Sequence, residues 1–294
     1  MKTSKNDYQY IGYLYILPWI IGFLALQLIP LITSLGYSFT NLQLLGKPKF
    51  IGLANYAKLF KDPLFWQSLK VTFIYVLIAV PCKVGFALVI ALILNQDLKG
   101  INFFRTLYYL PSILGGSVAI SVLWRYLFMD NGIINNILGF LHLPQHSWLG
   151  DPKLALGTIG LVTVWQFGSS MLIFLAGLKQ IPTVLYEAAE LDGSGKLRTF
   201  WNITLPSLSP IVLFNLIMQM NNAFQEFTPA FVITQGGPLN STYLYGLLLY
   251  NQGFKFFKMG YASALSWILF AIILFFTSLT FKSSQSWVHY GDSV

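Results

Sequence analysis

Long, continuously apolar stretches recur along the chain at about 11–37, 70–94, 106–129, 155–178, 207–231 and 260–281, with shorter polar segments between them. Each is long enough to cross bilayer hydrocarbon as an α-helix, which takes about 20 residues. The pattern therefore predicts an all-α integral membrane protein with six transmembrane helices in a single transmembrane domain, 1–294. Barrel strands would alternate apolar and polar with a period of two, and these runs do not. The polar opening MKTSKNDYQY leads into a first run without a small-residue cleavage site, so that run reads as a retained span.

Three connections are longer than the rest, 41–69, 130–154 and 232–259, and all three fall outside if the N-terminus is cytoplasmic. Asp62-Pro63 pairs an N-cap with proline at the first helical position and predicts an amphipathic surface helix through Phe65, Trp66 and Leu69. His142 and His146 have metal-like spacing, but Pro144 stands between them and no Cys or Glu lies nearby, which argues against a metal site. Lys47, Lys49, Lys58, Lys61 and Lys70 fall on one side of the membrane. Lys2, Lys5, Lys99, Arg105, Lys179, Lys196, Arg198 and Lys282 fall on the other, a bias too weak to orient the chain.

Composition agrees with a lipid solvent: 55% of residues are apolar and 10% charged, with a mean hydropathy of +0.63, whereas soluble domains carry about 25% charged residues. The net charge of +8 is spread between apolar runs, which suits anionic lipid head groups better than nucleic acid. Cys82 is the sole cysteine, so no intramolecular disulfide can form, and its apolar setting predicts a small buried hydrophobe.

Polar side chains inside the runs mark candidate chemistry, because they are expensive in lipid. Asn215, Gln219, Asn222 and Glu226 recur at helical spacing on one face of span five, and Asn221 and Gln225 widen it. These amides and the carboxylate offer hydrogen-bond partners to a polar solute. Thr158, Trp165 and Ser169 share a face of span four beside Gln166, and Ser117, Ser121 and Trp124 a face of span three. Interhelical hydrogen bonding would explain such stripes equally well in spans three and four; in span five a substrate path is the stronger reading. Lys83 lies mid-span, either buried toward the bundle with an acid such as Glu226 or snorkelling to an interface. Arg125 near Asp130 reads as an interfacial pair, and the Tyr and Trp at span ends as anchors.

The loop at 183–206 carries EAAELDGSGKLRTFWNITLPSLSP from Glu187. It predicts a short helix, a turn at Gly193-Ser194-Gly195 and a second short helix. Such a knob offers Ala188 and Ala189 to a partner's groove and Glu187, Glu190 and Asp192 to basic groups. GSGK at Gly193–Lys196 is no phosphate-binding loop: Glu190 stands where the first glycine belongs, and Leu197 where Ser or Thr would hold magnesium.

At Glu187, Ala188, Ala189, Gly193, Ile203, Leu205 and Pro206 the chain resembles the permease subunits of binding-protein-dependent ABC importers, matching every position of their loop signature. FIGLANYAKLFKDPLFWQSL from Phe50, NGIINNILG followed by WLGDP, and ITQGGPLNST from Ile233 extend the likeness over nearly the whole chain. They make it similar to the sugar branch, the maltose, alginate and glycerol-phosphate permeases. The extra N-terminal spans and large external domain of the maltose type are missing, so a maltose substrate does not follow.

The resemblance implies the type I ABC importer permease fold, a bacterial inner-membrane location and cytoplasmic termini. It makes Glu187, Ala188, Ala189, Asp192, Gly193, Ile203, Leu205 and Pro206 an ATPase-coupling element. It implies a second homologous permease, two ATP-binding subunits that hold ATP and magnesium, and a solute-binding protein. No cofactor, catalytic residue or metal is expected in this chain. The substrate path would use Asn215, Gln219, Asn222, Gln225, Glu226, Trp165 and Ser169, while Gly236, Gly237 and Pro238 form either a plain tight turn or a contact for the solute-binding protein. Competing readings are an ABC permease for a peptide, amino acid or phosphodiester, and a proton-coupled transporter using Glu226 and Lys83. A membrane enzyme would need a zinc helix, a nucleophile elbow or an Asp-rich metal motif, and none is present.

Overall fold

The computed structural model describes residues 5–43, 46–96 and 99–289, with side chains from Gly12 onward. In chain order its helices are α1 (Lys5–Phe23), α2 (Ile29–Ser38), α3 (Ala54–Lys61), α4 (Pro63–Leu94), α5 (Ile101–Leu114), α6 (Val118–Phe128), α7 (Ile133–Phe140), α8 (Ala155–Trp165), α9 (Gly168–Leu178), α10 (Thr183–Leu191), α11 (Lys196–Thr199), α12 (Leu205–Phe224), α13 (Tyr245–Tyr250) and α14 (Met259–Ser284). Short π-helical segments, Leu24–Leu28, Phe200–Thr204, Ala230–Thr234 and Asn251–Lys255, join several of them. Among the described residues the only β feature is an isolated bridge between Thr40 and Phe50.

Four continuous helices are long and apolar enough to cross a membrane, Gly12–Ser38, Pro63–Leu94, Lys196–Phe224 and Met259–Ser284. Two bent pairs complete six spans: α5 with α6–α7, bent by 100°, and α8 with α9, bent by 47°. The surface helix falls elsewhere than expected. It is α3, Ala54–Lys61, whereas Phe65, Trp66 and Leu69 belong to α4, which Pro63 opens and which continues unbroken into the span. A proline at the first turn loses no hydrogen bond, so nothing separates a surface helix from the apolar run that follows it.

The chain forms two compact units. The first takes the described residues up to Asp62 together with Leu249–Phe270. Within it the side-chain amide of Asn55 donates to Ser38 O at 2.7 Å and to Thr40 O at 2.8 Å. Tyr56 donates to the Ser38 hydroxyl at 2.8 Å, Trp267 Nε1 to the Ser34 hydroxyl at 3.2 Å, and Gly260 N to Leu42 O at 2.9 Å. The Asn55 bond to Ser38 O satisfies a carbonyl left open where α2 ends, and the others tie α2 and the chain beyond it to α3 and α14.

The second unit comprises Pro63–Leu248 and the described residues from Ala271 onward, and α4 is its central helix, packed by α8, α9 and α12. Val76, Ala79, Val80, Lys83, Val84, Ala87 and Ala91 recur at three- and four-residue spacing and are buried. Leu77, Ile78, Phe86 and Val89 are exposed on the opposite face, where lipid is the expected solvent. Cys82 lies on that second face, exposed beside an apolar groove of about 550 Å³ with Ile78, Phe86 and Leu161, and not in the core as its apolar setting predicts. Hydropathy cannot separate lipid from protein interior, since both are apolar.

Candidate functional site

The 183–206 loop folds as a helix, a left-handed turn and a second, shorter helix. α10 ends in a Schellman motif: Ser194 N donates to Ala189 O at 2.8 Å and Gly193 N to Glu190 O at 3.0 Å. Gly193 takes φ 71°, the left-handed conformation that glycine reaches without a Cβ penalty. The Tyr186 and Thr204 hydroxyls pair at 3.1 Å and tie α10 to the π-helical segment before α12. Glu187, Glu190, Asp192 and Gly193 are exposed, and Leu191 and Leu197 protrude with 90% and 73% of their surface free. Ala189 is buried inside the loop, so the two alanines do not share an outward face as the sequence suggests; Ala188 borders a cavity of about 350 Å³ with Arg198 and Ile203. Ile203 and Pro206 line a neighbouring cavity of about 670 Å³, which His289 also borders. Leu205 is half-buried at the start of α12.

Spans three, four and five each break inside their apolar runs, at Gly115–Ser117, Gln166–Phe167 and Gln225–Phe227. Non-helical backbone at membrane depth needs partners from neighbouring protein or water, and here the breaks hold one another. The Ser112 hydroxyl donates to Gln166 O at 3.1 Å and accepts from Ser169 N at 3.0 Å. The Gln166 side chain fills the space a Cβ on Gly115 would need, and Gly168 lies so close to Tyr108 O and Tyr109 Cα that a methyl would stand 2.7 and 2.8 Å from them. Trp124 caps the same region, donating to Thr158 O at 3.3 Å with its ring 5.7 Å from that of Trp165.

Glu226 occupies the break in span five and therefore leaves the helical face that Asn215, Gln219 and Asn222 share. Its carboxylate accepts Phe227 N at 3.1 Å and also the N–H of Thr228, so it caps the helical turn that resumes beyond the break. Thr163 of α8 donates to the same carboxylate at 3.4 Å and pairs with the Tyr75 hydroxyl of α4 at 2.6 Å. Lys83, only 7% exposed, interacts electrostatically with Glu226, which answers the sequence alternative in favour of burial beside an acid.

The other span-five amides divide. Asn215 and Gln219 are buried, the first donating to Ile211 O at 3.1 Å while its Oδ1 meets no partner among the described residues, and the second donating to the Ser170 hydroxyl of α9 at 3.0 Å. Asn222 and Gln225 are exposed, as is Ser169 just past the bend in span four, while Trp165 is half-buried. Ser112, Tyr75 and Thr163 were missed by the sequence reading, because a lone hydroxyl in an apolar run carries no periodic signal.

The ITQGGP segment is internally tied. Thr242 donates to Gly237 O at 2.7 Å and Gly236 N to Ala230 O at 3.3 Å. Gly236 is buried against Tyr243, and Gly237 and Pro238 are half-buried. The exposed tip is instead Leu239, 87% exposed, and Asn240, both at positive φ. Asp130 accepts from the Ser147 hydroxyl at 2.8 Å rather than from Arg125, and Asn135 gathers His146 N and the Trp148 indole on its side-chain oxygen.

Residues 65–289 match the family described as binding-protein-dependent transport system inner membrane component. The chain is 52% identical over 283 residues to the probable ABC transporter permease protein YesP of Bacillus subtilis, covering 95% of this chain and 92% of the relative. It is 33% identical to the lactose transport system permease protein LacF of Rhizobium radiobacter, covering 97% of each chain. Among solved structures, a bacterial ABC transporter involved in the import of the acidic polysaccharide alginate superposes with a TM-score of 0.80 at 21% identity, covering 95% of this chain and 96% of that one. With the six spans and the Glu187–Pro206 loop in place, the chain belongs to the inner-membrane components of binding-protein-dependent transport systems, as an ABC transporter permease.

Proposed function

We propose that this permease forms half of the pathway by which an ATP-driven importer takes up a carbohydrate, an oligosaccharide handed over by an external solute-binding protein. The observation that carries the reading is the capped α10 knob: Glu187, Glu190 and Leu191 stand exposed on a helix whose end is pinned by Gly193. A rigid protruding helix can carry a partner's movement into α12, to which it is joined through Tyr186 and Thr204. In this reading two ATPase subunits bind ATP and magnesium and grip Glu187, Ala188, Asp192 and Gly193. Ala189, Ile203, Leu205 and Pro206 act behind them as packing that transmits the load.

A second homologous permease completes the path, and all six spans act as one transmembrane domain with cytoplasmic termini. Sugar passes beside Asn222, Gln225, Ser169 and Trp165, while Asn215, Gln219 and Glu226 hold the helices that present them. The solute-binding protein meets the turn formed by Gly236, Gly237 and Pro238 through its tip, Leu239 and Asn240. The chain itself catalyses no reaction. A carbohydrate is favoured over a peptide or amino acid because relatives such as the lactose permease align over almost the full chain.

The test is purification from the native membrane in mild detergent, with and without Glu187→Arg. Wild type should bring down an ATPase and a second permease, and the variant should lose the ATPase alone. A chain that emerges without either subunit in both preparations would overturn the importer reading and favour proton-coupled transport. Uptake assays with oligosaccharides, peptides and amino acids in proteoliposomes then separate the cargo classes.

A further inference from the structure

In the first compact unit, α3, the loop after α2 and the start of α14 line a pocket of about 260 Å³ in which Asn41, Gln43, Lys58, Lys258 and Tyr261 stand beside apolar Leu42 and Ile51. The Lys58 ammonium sits 5.6 Å from the Tyr261 ring centroid. Lys258 and Lys255 both lie over the Phe256 ring, at 5.5 and 5.9 Å. Among the described residues none of these three ammonium groups has a carboxylate partner; Asp62 accepts the Tyr261 hydroxyl at 3.2 Å. Lys58 and Lys258 bring two positive charges to the lining of one pocket, with Lys255 beside Lys258 at the Phe256 ring, and an anion in that pocket would offset their mutual repulsion.

The surroundings say which anion. Phe254, Lys255, Phe256, Phe257 and Lys258 form an uninterrupted exposed run, its aromatic members 60%, 50% and 46% exposed, immediately before the apolar span of α14. Phe50 and Phe60 are 79% and 50% exposed on the facing segment of the same unit. Exposed rings interleaved with lysines at the mouth of a span are suited to the head-group level, rings toward the acyl chains and ammonium groups toward phosphate. A free anion alone would not account for the exposure of Phe254, Phe256 and Phe257.

We propose that this pocket binds the phosphate of an anionic phospholipid, held between Lys58 and Lys258 with its acyl chains against Phe256 and Phe257. The leaflet, extracytoplasmic, rests on the orientation proposed above, whereas the head-group chemistry does not. Lys58, one of four lysines in the 41–69 connection, then has a physical use on a face where the positive-inside tendency would not put it.

The full chain, with whatever subunits co-purify, is titrated with phosphatidylglycerol, phosphatidylcholine and inorganic phosphate, and bound molecules are counted by native mass spectrometry. Wild type should retain one phosphatidylglycerol that Lys58→Gln/Lys258→Gln binds more weakly by about tenfold or more. The Lys58→Arg/Lys258→Arg control should keep it, and phosphatidylcholine should not compete. Equal retention by wild type and the glutamine variant overturns the site. Uptake of inorganic phosphate that displaces the lipid at comparable concentration overturns the lipid and leaves a free-anion pocket. Because the count is made on this chain, failure of the importer reading would show separately, as missing ATPase in the same spectra.

Discussion

The hydroxyl of Ser112 accepts the backbone N–H of Ser169 at 3.0 Å and donates to the carbonyl of Gln166, three residues earlier, at 3.1 Å. One side chain of span three thus serves both edges of the break in span four. Ser112→Ala would remove both bonds, one part-buried and one exposed, at a cost of about 0.5–1.5 kcal/mol each at most. Thermal unfolding of the purified chain in detergent should show the loss, and Ser112→Thr should restore part of it. An unchanged transition in the alanine variant would mean that water replaces the hydroxyl.

Gly177 of α9 packs against α12 so closely that a Cβ there would run into the Ile211 side chain. Gly177→Val should destabilise the chain by about 1–3 kcal/mol through overpacking. Adding Ile211→Ala should recover much of the loss, and a double-mutant cycle without coupling would refute the contact.

Gly193 holds φ 71° at the end of α10. Proline locks φ near −65° and lacks the N–H that donates to Glu190 O. Gly193→Pro should therefore abolish transport while the chain still inserts in the membrane, which protease protection and uptake measured side by side would reveal. Normal uptake would remove the loop from the coupling role.

Asn222 and Gln219 lie on one helix but in different surroundings. Asn222→Leu should lower uptake without altering thermal stability or ATPase co-purification, because its amide is exposed. Gln219→Leu should lower stability first, by about 1–3 kcal/mol, since it strands the buried Ser170 hydroxyl. Identical profiles for the two variants would show that exposure does not separate path from packing.

Glu226 caps the resumed helix with its carboxylate and also bonds Thr163. Glu226→Gln keeps one acceptor oxygen, for Phe227 N, and sets an amide NH2 against the Thr163 hydroxyl, which can accept from it, but removes the charge that faces Lys83, whereas Glu226→Leu removes everything. A severe uptake defect in the leucine variant with a mild one in glutamine would mark hydrogen bonding as the dominant role. Equal loss in both would mark charge.

The six spans and the Glu187–Pro206 loop were legible in the sequence because both are local. About 20 apolar residues suffice for a span whatever its neighbours, and the loop's residues are close in sequence as well as in space. The helical face through Asn215, Gln219 and Asn222 was equally readable. The end of that face at Gln225 was not, since span five is interrupted where Glu226 finds partners on α4 and α8.

Hydropathy by itself determined that this chain lives in lipid and where its apolar runs lie, and motif spacing which loop resembles the signature of its family, because both depend on each residue and its near neighbours alone. Only the tertiary structure decided where spans bend and which polar groups are buried and which stay exposed. Ser112 and Ser169 are 57 residues apart and Thr163 and Glu226 are 63, so whether a break in a helix finds its partner is settled by distant parts of the chain meeting.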